Sequence, residues 1–199
     1  MANPEHLAKL KECMQIREKQ SEPGKLNEGV KAWNNWRQEH PTVKPDLSRA
    51  DLTSLDAGDA FPAGMSLQSA NLSGANLGGA RLMSANFWSA NLAGANLAET
   101  SLHFANFSGA NLVGANLTDA VLFGASLDHA QLDISDMTGA DLHMTSFGNN
   151  DLRTVMGLDR VEHTGPCTIG LDTIQRSNGK ISSGGDHRKA LGEIRCLRV

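Results

Sequence analysis

From Leu67 to Leu152 every fifth residue is large and apolar, eighteen positions in succession filled by fourteen Leu, three Phe and one Met. The series runs Leu67, Leu72, Leu77, Leu82, Phe87, Leu92, Leu97, Leu102, Phe107, Leu112, Leu117, Leu122, Leu127, Leu132, Met137, Leu142, Phe147, Leu152. An α-helix returns to the same side every 3.6 residues and a strand every two, so a period of five fits neither alone and marks a repeat architecture. Each unit reads Ala, Asn or Asp, Leu, then two small or polar residues, as in Ala75-Asn76-Leu77-Gly78-Gly79. Ala and Leu stand two apart, as same-side neighbours on extended backbone do. Both are therefore expected inside, with the other three positions facing solvent and making a turn. Five residues bury nothing by themselves, so successive units must stack around one shared core.

The spacing of the aromatic exceptions suggests how many units close one circuit. Phe87, Phe107 and Phe147 are the Phe at the central position, separated by 20 and 40 residues. A circuit of four units puts all three in one column, where neighbouring rings can stack; a three- or five-unit circuit scatters them. Eighteen units then make four and a half circuits, about 22 Å tall at roughly 4.8 Å per stacked strand. The same register predicts Asn ladders on three sides: Asn71, Asn91 and Asn111; Asn76, Asn96 and Asn116; Asn86 and Asn106. Leu47 and Leu52 share the five-residue phase, but Ala57 and Pro62 follow where Leu is due. Leu55 to Met65 reads as a distorted first circuit or a short loop returning in register. With 5% aromatic residues and no Tyr, the core is expected to be thin and extended.

Runs such as Ala70-Asn71-Leu72-Ser73-Gly74-Ala75-Asn76-Leu77 resemble the pentapeptide-repeat family. The resemblance covers about half the chain and implies an all-β solenoid, a right-handed quadrilateral β-helix. Family members commonly cover the open ends of the coil. Leu7, Leu10, Met14 and Arg17 follow a helical spacing, and Leu26, Val30, Trp33 and Trp36 outline a second helix after Pro23-Gly24. Residues 5–20 and 25–39 are read as two amphipathic helices forming an α-helical N-terminal cap; a partner-binding helix pair is the alternative. The domain organisation expected is a cap over 1–44, the repeat coil over 45–154, a C-terminal capping or linker segment over 155–181, and a flexible tail over 182–199. The entry sequence Gly29-Val30-Lys31-Ala32-Trp33-Asn34-Asn35-Trp36-Arg37 resembles that of many bacterial members. Val161 to Ile174, with Ser177-Asn178-Gly179-Lys180-Ile181, is similar to a linker that leads in some relatives into a Toll/interleukin-1-receptor-type signalling domain. Eighteen residues follow Ile181, too few for such a domain, so a repeat module lacking that effector is expected.

The formal charge of −4 is unevenly spread. Residues 46–152 hold eleven acids against Arg49 and Arg81, a net −9, while the flanking segments sum to +2 and +3. An acidic middle argues against direct nucleic-acid binding, since phosphate contact needs Lys and Arg. No apolar run is long enough for a membrane span, and the start lacks a basic and then apolar leader. A cytoplasmic protein is expected, with Cys13, Cys167 and Cys196 as reduced thiols.

Enzymatic chemistry is not indicated. No phosphate loop and no nucleophile elbow is present, and no two of the seven His have a helical metal-motif spacing. Asp128-His129 and Glu162-His163 are adjacent, and adjacent side chains on a strand point apart. No cofactor or metal is expected; His103 and His143, two circuits apart, stand roughly 10 Å from each other.

Sorting the surface by circuit singles out the side centred on Leu82, Leu102, Leu122 and Leu142, which alone lacks an Asn ladder. Met83, His103, Phe123 and His143 fall in one outward column, Phe104 and Met144 in the next, with Trp88 starting the neighbouring side. These seven residues form the candidate interaction face, because an exposed apolar stripe on an Asn, Ser and Gly surface usually marks something that covers it. Three occupants are open: the segment 155–181 folded back, a homodimer, or a protein partner of unknown identity. The function expected is a non-catalytic scaffold presenting this face. The alternative comes from the family, some of whose members resemble DNA in shape and charge and act on type II topoisomerases such as gyrase. A mimic of DNA needs a continuous acidic stripe, whereas no acid occurs between Asp59 and Glu99 and the later ones are spread around the coil.

Overall fold

The computed structural model describes residues 1–15, 28–53, 55–57, 64–161 and 168–177. The repeat region is a solenoid whose layers pair in parallel, one residue per unit: Asn71 with Asn91, Asn76 with Asn96, Arg81 with Ser101, Asn86 with Asn106, and so on up the coil. Partners stand 20 residues apart, so four units make one circuit, as the Phe spacing predicts. Phe87 and Phe107 stack in the interior with ring centroids 4.7 Å apart and planes 1° from parallel. From Leu67 to Leu152 no central residue is more than 2% exposed, so the coil is filled and has no lumen.

The Ala position two residues earlier is equally buried, and where it is polar the side chain finds a backbone acceptor. Thr100 Oγ1 donates to Leu77 O at 3.0 Å and Thr145 Oγ1 to Leu122 O at 2.9 Å. Asn150 Nδ2 donates to both Leu127 O and Ala130 O. A buried hydroxyl or amide without such a partner would cost about 1–3 kcal/mol. Outside, Asn91 Nδ2 donates to Asn71 Oδ1 at 3.2 Å, Asn96 to Asn76 at 2.8 Å, Asn116 to Asn96 at 3.2 Å and Asn106 to Asn86 at 3.5 Å. Each Asn Oδ1 also accepts the backbone N–H two residues on, as at Ala93 and Ala98, which fixes the start of the turn.

Between Asp46 and Asp56 the pairing distance is 25 residues, with Asp46 on Asn71, Asp51 on Asn76 and Asp56 on Arg81; from Ser66 onward it is 20. One extra unit therefore lies between Asp56 and Ser66. Ala57 takes the central position beneath Leu82, and Met65 and Leu67 resume the buried pattern. Pairing resumes in register at Ser66; residues 54 and 58–63, on which the choice between the two expectations for Leu55 to Met65 falls, lie outside the described residues.

Two helices pack on the first circuit: α1, Pro4–Gln15, and α2, Glu28–Glu39. Asn3 caps α1, its Oδ1 accepting the Glu5 and His6 N–H groups, and Pro4 sits at the first helical position, where its missing N–H costs nothing. The first circuit has no layer beneath it, and the Asn3 backbone together with side chains of the two helices supplies the missing pairing. Asp46 O accepts from Asn3 N–H at 2.9 Å and Asp46 N–H donates to His6 Nδ1 at 3.0 Å. Ser66 N–H donates to Asn34 Oδ1 at 2.8 Å, and Trp33 Nε1 donates to Ser66 O at 2.7 Å. Residues 16–20 and 25–27 of the two expected helices lie outside the described residues.

At the other end β1, Ser146–Phe147, pairs in parallel with β2, Thr168–Ile169, and α3, Leu171–Arg176, follows. Thr168 N–H donates to Thr145 O and Gly170 N–H to Phe147 O, while Thr173 Oγ1 also reaches Phe147 O. Of the three occupants left open for the side of Leu82 to Leu142, the folded-back segment is not the one its described residues support. Met156 pairs with Asp136 and so continues the coil, while Thr168 to Gly170 pair with the last layer of the Phe column, where backbone acceptors would otherwise be left open. Residues 162–167 and 178–199 lie outside the described residues, and with them Glu162-His163, Cys167, Cys196 and the tail.

Candidate interaction face

Every unit turns the corner in the same way. The second turn residue has positive φ at Arg49 and in every unit from Ser69 to Asn149. Gly serves this position best, and it stands at 74, 79, 94, 109, 114, 124 and 139. Three bulky apolar residues stand there instead: Phe104 with φ 57, Ile134 with φ 51 and Met144 with φ 58. Their side chains are directed outward, 46%, 58% and 55% exposed.

Phe104 and Met144 share one corner with Gly124 between them, and the adjoining column holds Met83, His103, Phe123 and His143. The rings are in contact. Phe104 meets Phe123 edge to face at 5.3 Å and 85°, His143 stacks on Phe123 at 4.9 Å and 18°, and His103 lies tilted at 6.1 Å. Phe123, His103, His143 and Met83 are half-buried, whereas Phe104 and Met144 project. His103 Nδ1 is 3.0 Å from Ser101 Oγ, and His143 N–H donates to Asp141 Oδ1. Trp88, also exposed, belongs to the next corner, in the column of Gln68, Ser108 and Asp128. Six of the seven predicted residues thus share one corner, and Trp88 does not. Ile134 was missed, although its position in the repeat, two after Leu132, was available to find it.

Gly124 is what lets Phe104 settle. A Cβ on Gly124 would fall 2.6 Å from Phe104 Cδ1 and 2.7 Å from Cε1, whereas one on Gly94 meets nothing within 4 Å. Both glycines have positive φ, 66 and 62. Gly94→Ala should therefore cost about 1–2 kcal/mol for the left-handed backbone alone, and Gly124→Ala should cost more by the displacement of Phe104. Urea denaturation tests this: the excess should vanish when Phe104 is first changed to Ala, as a double-mutant cycle reads out.

Asp128 and His129 diverge: Asp128 Oδ2 accepts from Ser126 and Ser146 Oγ, and His129 Nδ1 lies 2.9 Å from Asn149 Nδ2. Among the described residues no three of His, Cys, Asp and Glu group as a metal site needs. No described helix is long and apolar enough to cross a membrane. Cys13 is buried and free, and burial pushes its thiol up from the usual range.

The description "Pentapeptide repeats" matches residues 46–82, 80–119 and 115–153, in 8 copies. No curated protein matches. Among solved structures, a pentapeptide repeat protein of the Arabidopsis thaliana thylakoid lumen is 37% identical over 49% of this chain and 64% of its own, with a TM-score of 0.45. Rfr23, from the cyanobacterium Cyanothece 51142, is 38% identical over 52% of this chain and 63% of its own, at 0.41. A third, from Nostoc PCC 7120, is 32% identical over 54% and 84%, at 0.42. The chain spans less than two thirds of the length of the first two.

Proposed function

The chain belongs to the pentapeptide repeat family, and on that premise we propose that it is a non-catalytic interaction module that presents the Phe104 corner to a protein partner. In this reading the coil is right-handed, as parallel crossovers nearly always are. It is also four-sided and capped at its first circuit by α1 and α2. The observation that carries the proposal is the pair of bulky residues at left-handed turn positions. Phe104 and Met144 each adopt a conformation costing roughly 1–2 kcal/mol outside Gly, at places where the fold accepts Gly124. Apart from Ile134, the other non-Gly residues in this conformation are polar or charged, whereas here it holds apolar side chains out in water. A DNA mimic asks for a continuous acidic column, and three columns instead carry neutral Asn, in each of which neighbouring side chains bond amide to amide.

Affinity capture with the wild type and with Phe104→Ser plus Phe123→Ser tests this. Partners retained by the wild type should be lost by the variant, with the melting curve of the coil still cooperative. Unchanged partners would remove the corner as the interaction site. A wild-type dimer that the variant turns to monomer in sedimentation would make the partner a second copy.

A further inference from the structure

The side that ends at the Phe104 corner begins at another corner, and the register shows what stands there. The turn residues Ala98-Glu99 and Thr118-Asp119 open the two layers that His103-Phe104 and Phe123-Gly124 close. Glu99 N–H donates to Thr118 O and Asp119 N–H to Thr138 O, so Glu99 and Asp119 stack in one column. Both are exposed, both at positive φ, 58 and 55. Val121, half-buried, lies between them and the rings. On the layer above, Asp141 accepts the His143 N–H. Below, Arg81 is engaged with Asp56 at 3.7 Å. Two carboxylates, Glu99 and Asp119, thus stand together on the edge opposite the aromatic one, and Arg81, on this side, is matched to an acid.

We infer that this side docks a basic amphipathic segment of a protein partner, its apolar residues on Phe104, Phe123 and Val121 and its Lys or Arg residues on Glu99 and Asp119. The inference rests on the interaction reading above and adds the partner's chemistry. Glu99 and His103 are four positions apart, at most roughly 13 Å of extended backbone. Side chains seven apart on a helix are separated by about 10.5 Å along its axis, so one helix laid across the side reaches both edges. Charge complementarity favours this occupant: the repeat region carries −9 with two bases, which attracts a basic partner and repels an acidic one. The rings add attraction for a cation passing over a face.

A Leu/Lys amphipathic model peptide, with its Leu/Glu counterpart as control, tests the inference on the full chain by fluorescence anisotropy. The Lys peptide should bind and the Glu peptide should not. Glu99→Gln plus Asp119→Asn should weaken the Lys peptide about tenfold, and so should raising the salt to about 1 M, where the Debye length is about 3 Å. Phe104→Ser plus Phe123→Ser should abolish binding. Absence of Lys-peptide binding, or equal binding of the Glu peptide, overturns the inference. If the ring variant loses binding and the acid variant does not, the partner is not basic, and the interaction reading stands alone. If the acid variant loses binding and the ring variant does not, attraction is merely electrostatic, and both readings fall.

Discussion

Phe107→Ala is expected to destabilise the coil by about 3–5 kcal/mol, the range for removing a large aromatic side chain from a packed interior. Phe107 has no exposure and lies flat against Phe87 at 4.7 Å, with Leu127 on its other side in the same column. The layers are held at a fixed spacing by backbone bonds such as Phe107 N–H to Ser126 O at 2.8 Å, so the walls cannot close on the cavity. Neighbouring positions offer only Ala105 and Ala110, too small to fill it. Because each circuit contacts only its neighbours, a weak layer in the middle can also divide the stack into two cooperative units. Phe107→Leu should cost less, about 1.5 kcal/mol or under, since Leu67 and Leu127 already occupy this column. Urea denaturation followed by circular dichroism measures both. A loss below about 1 kcal/mol for the alanine variant would mean that the Phe87 stack is not a packing element.

Most of the coil was legible because its signal is burial, and burial is written in residue type. The Leu period and the positions of Phe87, Phe107 and Phe147 give the circuit length before any coordinate is seen, and the Asn columns follow from it. The extra unit near Pro62 was less clear, since Ala57 serves in a Leu position and nothing local says which five residues are supernumerary. That is decided by the pairing of Asp46, Asp51 and Asp56 with the layer above. The strain at Phe104, Ile134 and Met144 was not legible at all. A Phe two places after a Leu does not disclose its φ; the turn imposes it. For the same reason Glu99 and Asp119 looked scattered. They are twenty residues apart in sequence and one layer apart in the coil, a proximity that appears only when corners, rather than sides, are followed up the stack. Apolar exposure alone left the occupant of the stripe open among three readings, because it carries no sign of the open carbonyls of Thr145 and Phe147 that take the N–H groups of Thr168 and Gly170.

Trp33→Ala should cost a comparable amount, about 3–5 kcal/mol, but express it differently. Trp33 is fully buried between α2 and the first circuit, packs on Trp36 at 5.1 Å, and gives its Nε1 proton to Ser66 O at 2.7 Å. Removing it leaves a cavity and takes the donor from a backbone acceptor at the end of the coil, where no lower layer exists to replace it. Trp33→Phe separates the two losses: packing is largely kept and the carbonyl alone is left short, at about 1–3 kcal/mol. Since interface terms in a stacked repeat are local, the alanine variant should free α1 and α2 and fray the first circuit while the layers around Phe107 hold. Hydrogen exchange is the measurement. Amides bonded at the base, such as Ser66 N–H to Asn34, should lose protection, and Leu102 N–H and Phe107 N–H, bonded to the layers above them, should retain it. Uniform loss along the whole coil would show instead that the helices and the coil fold as one cooperative unit, and that the end layer is held by the stack rather than by Trp33.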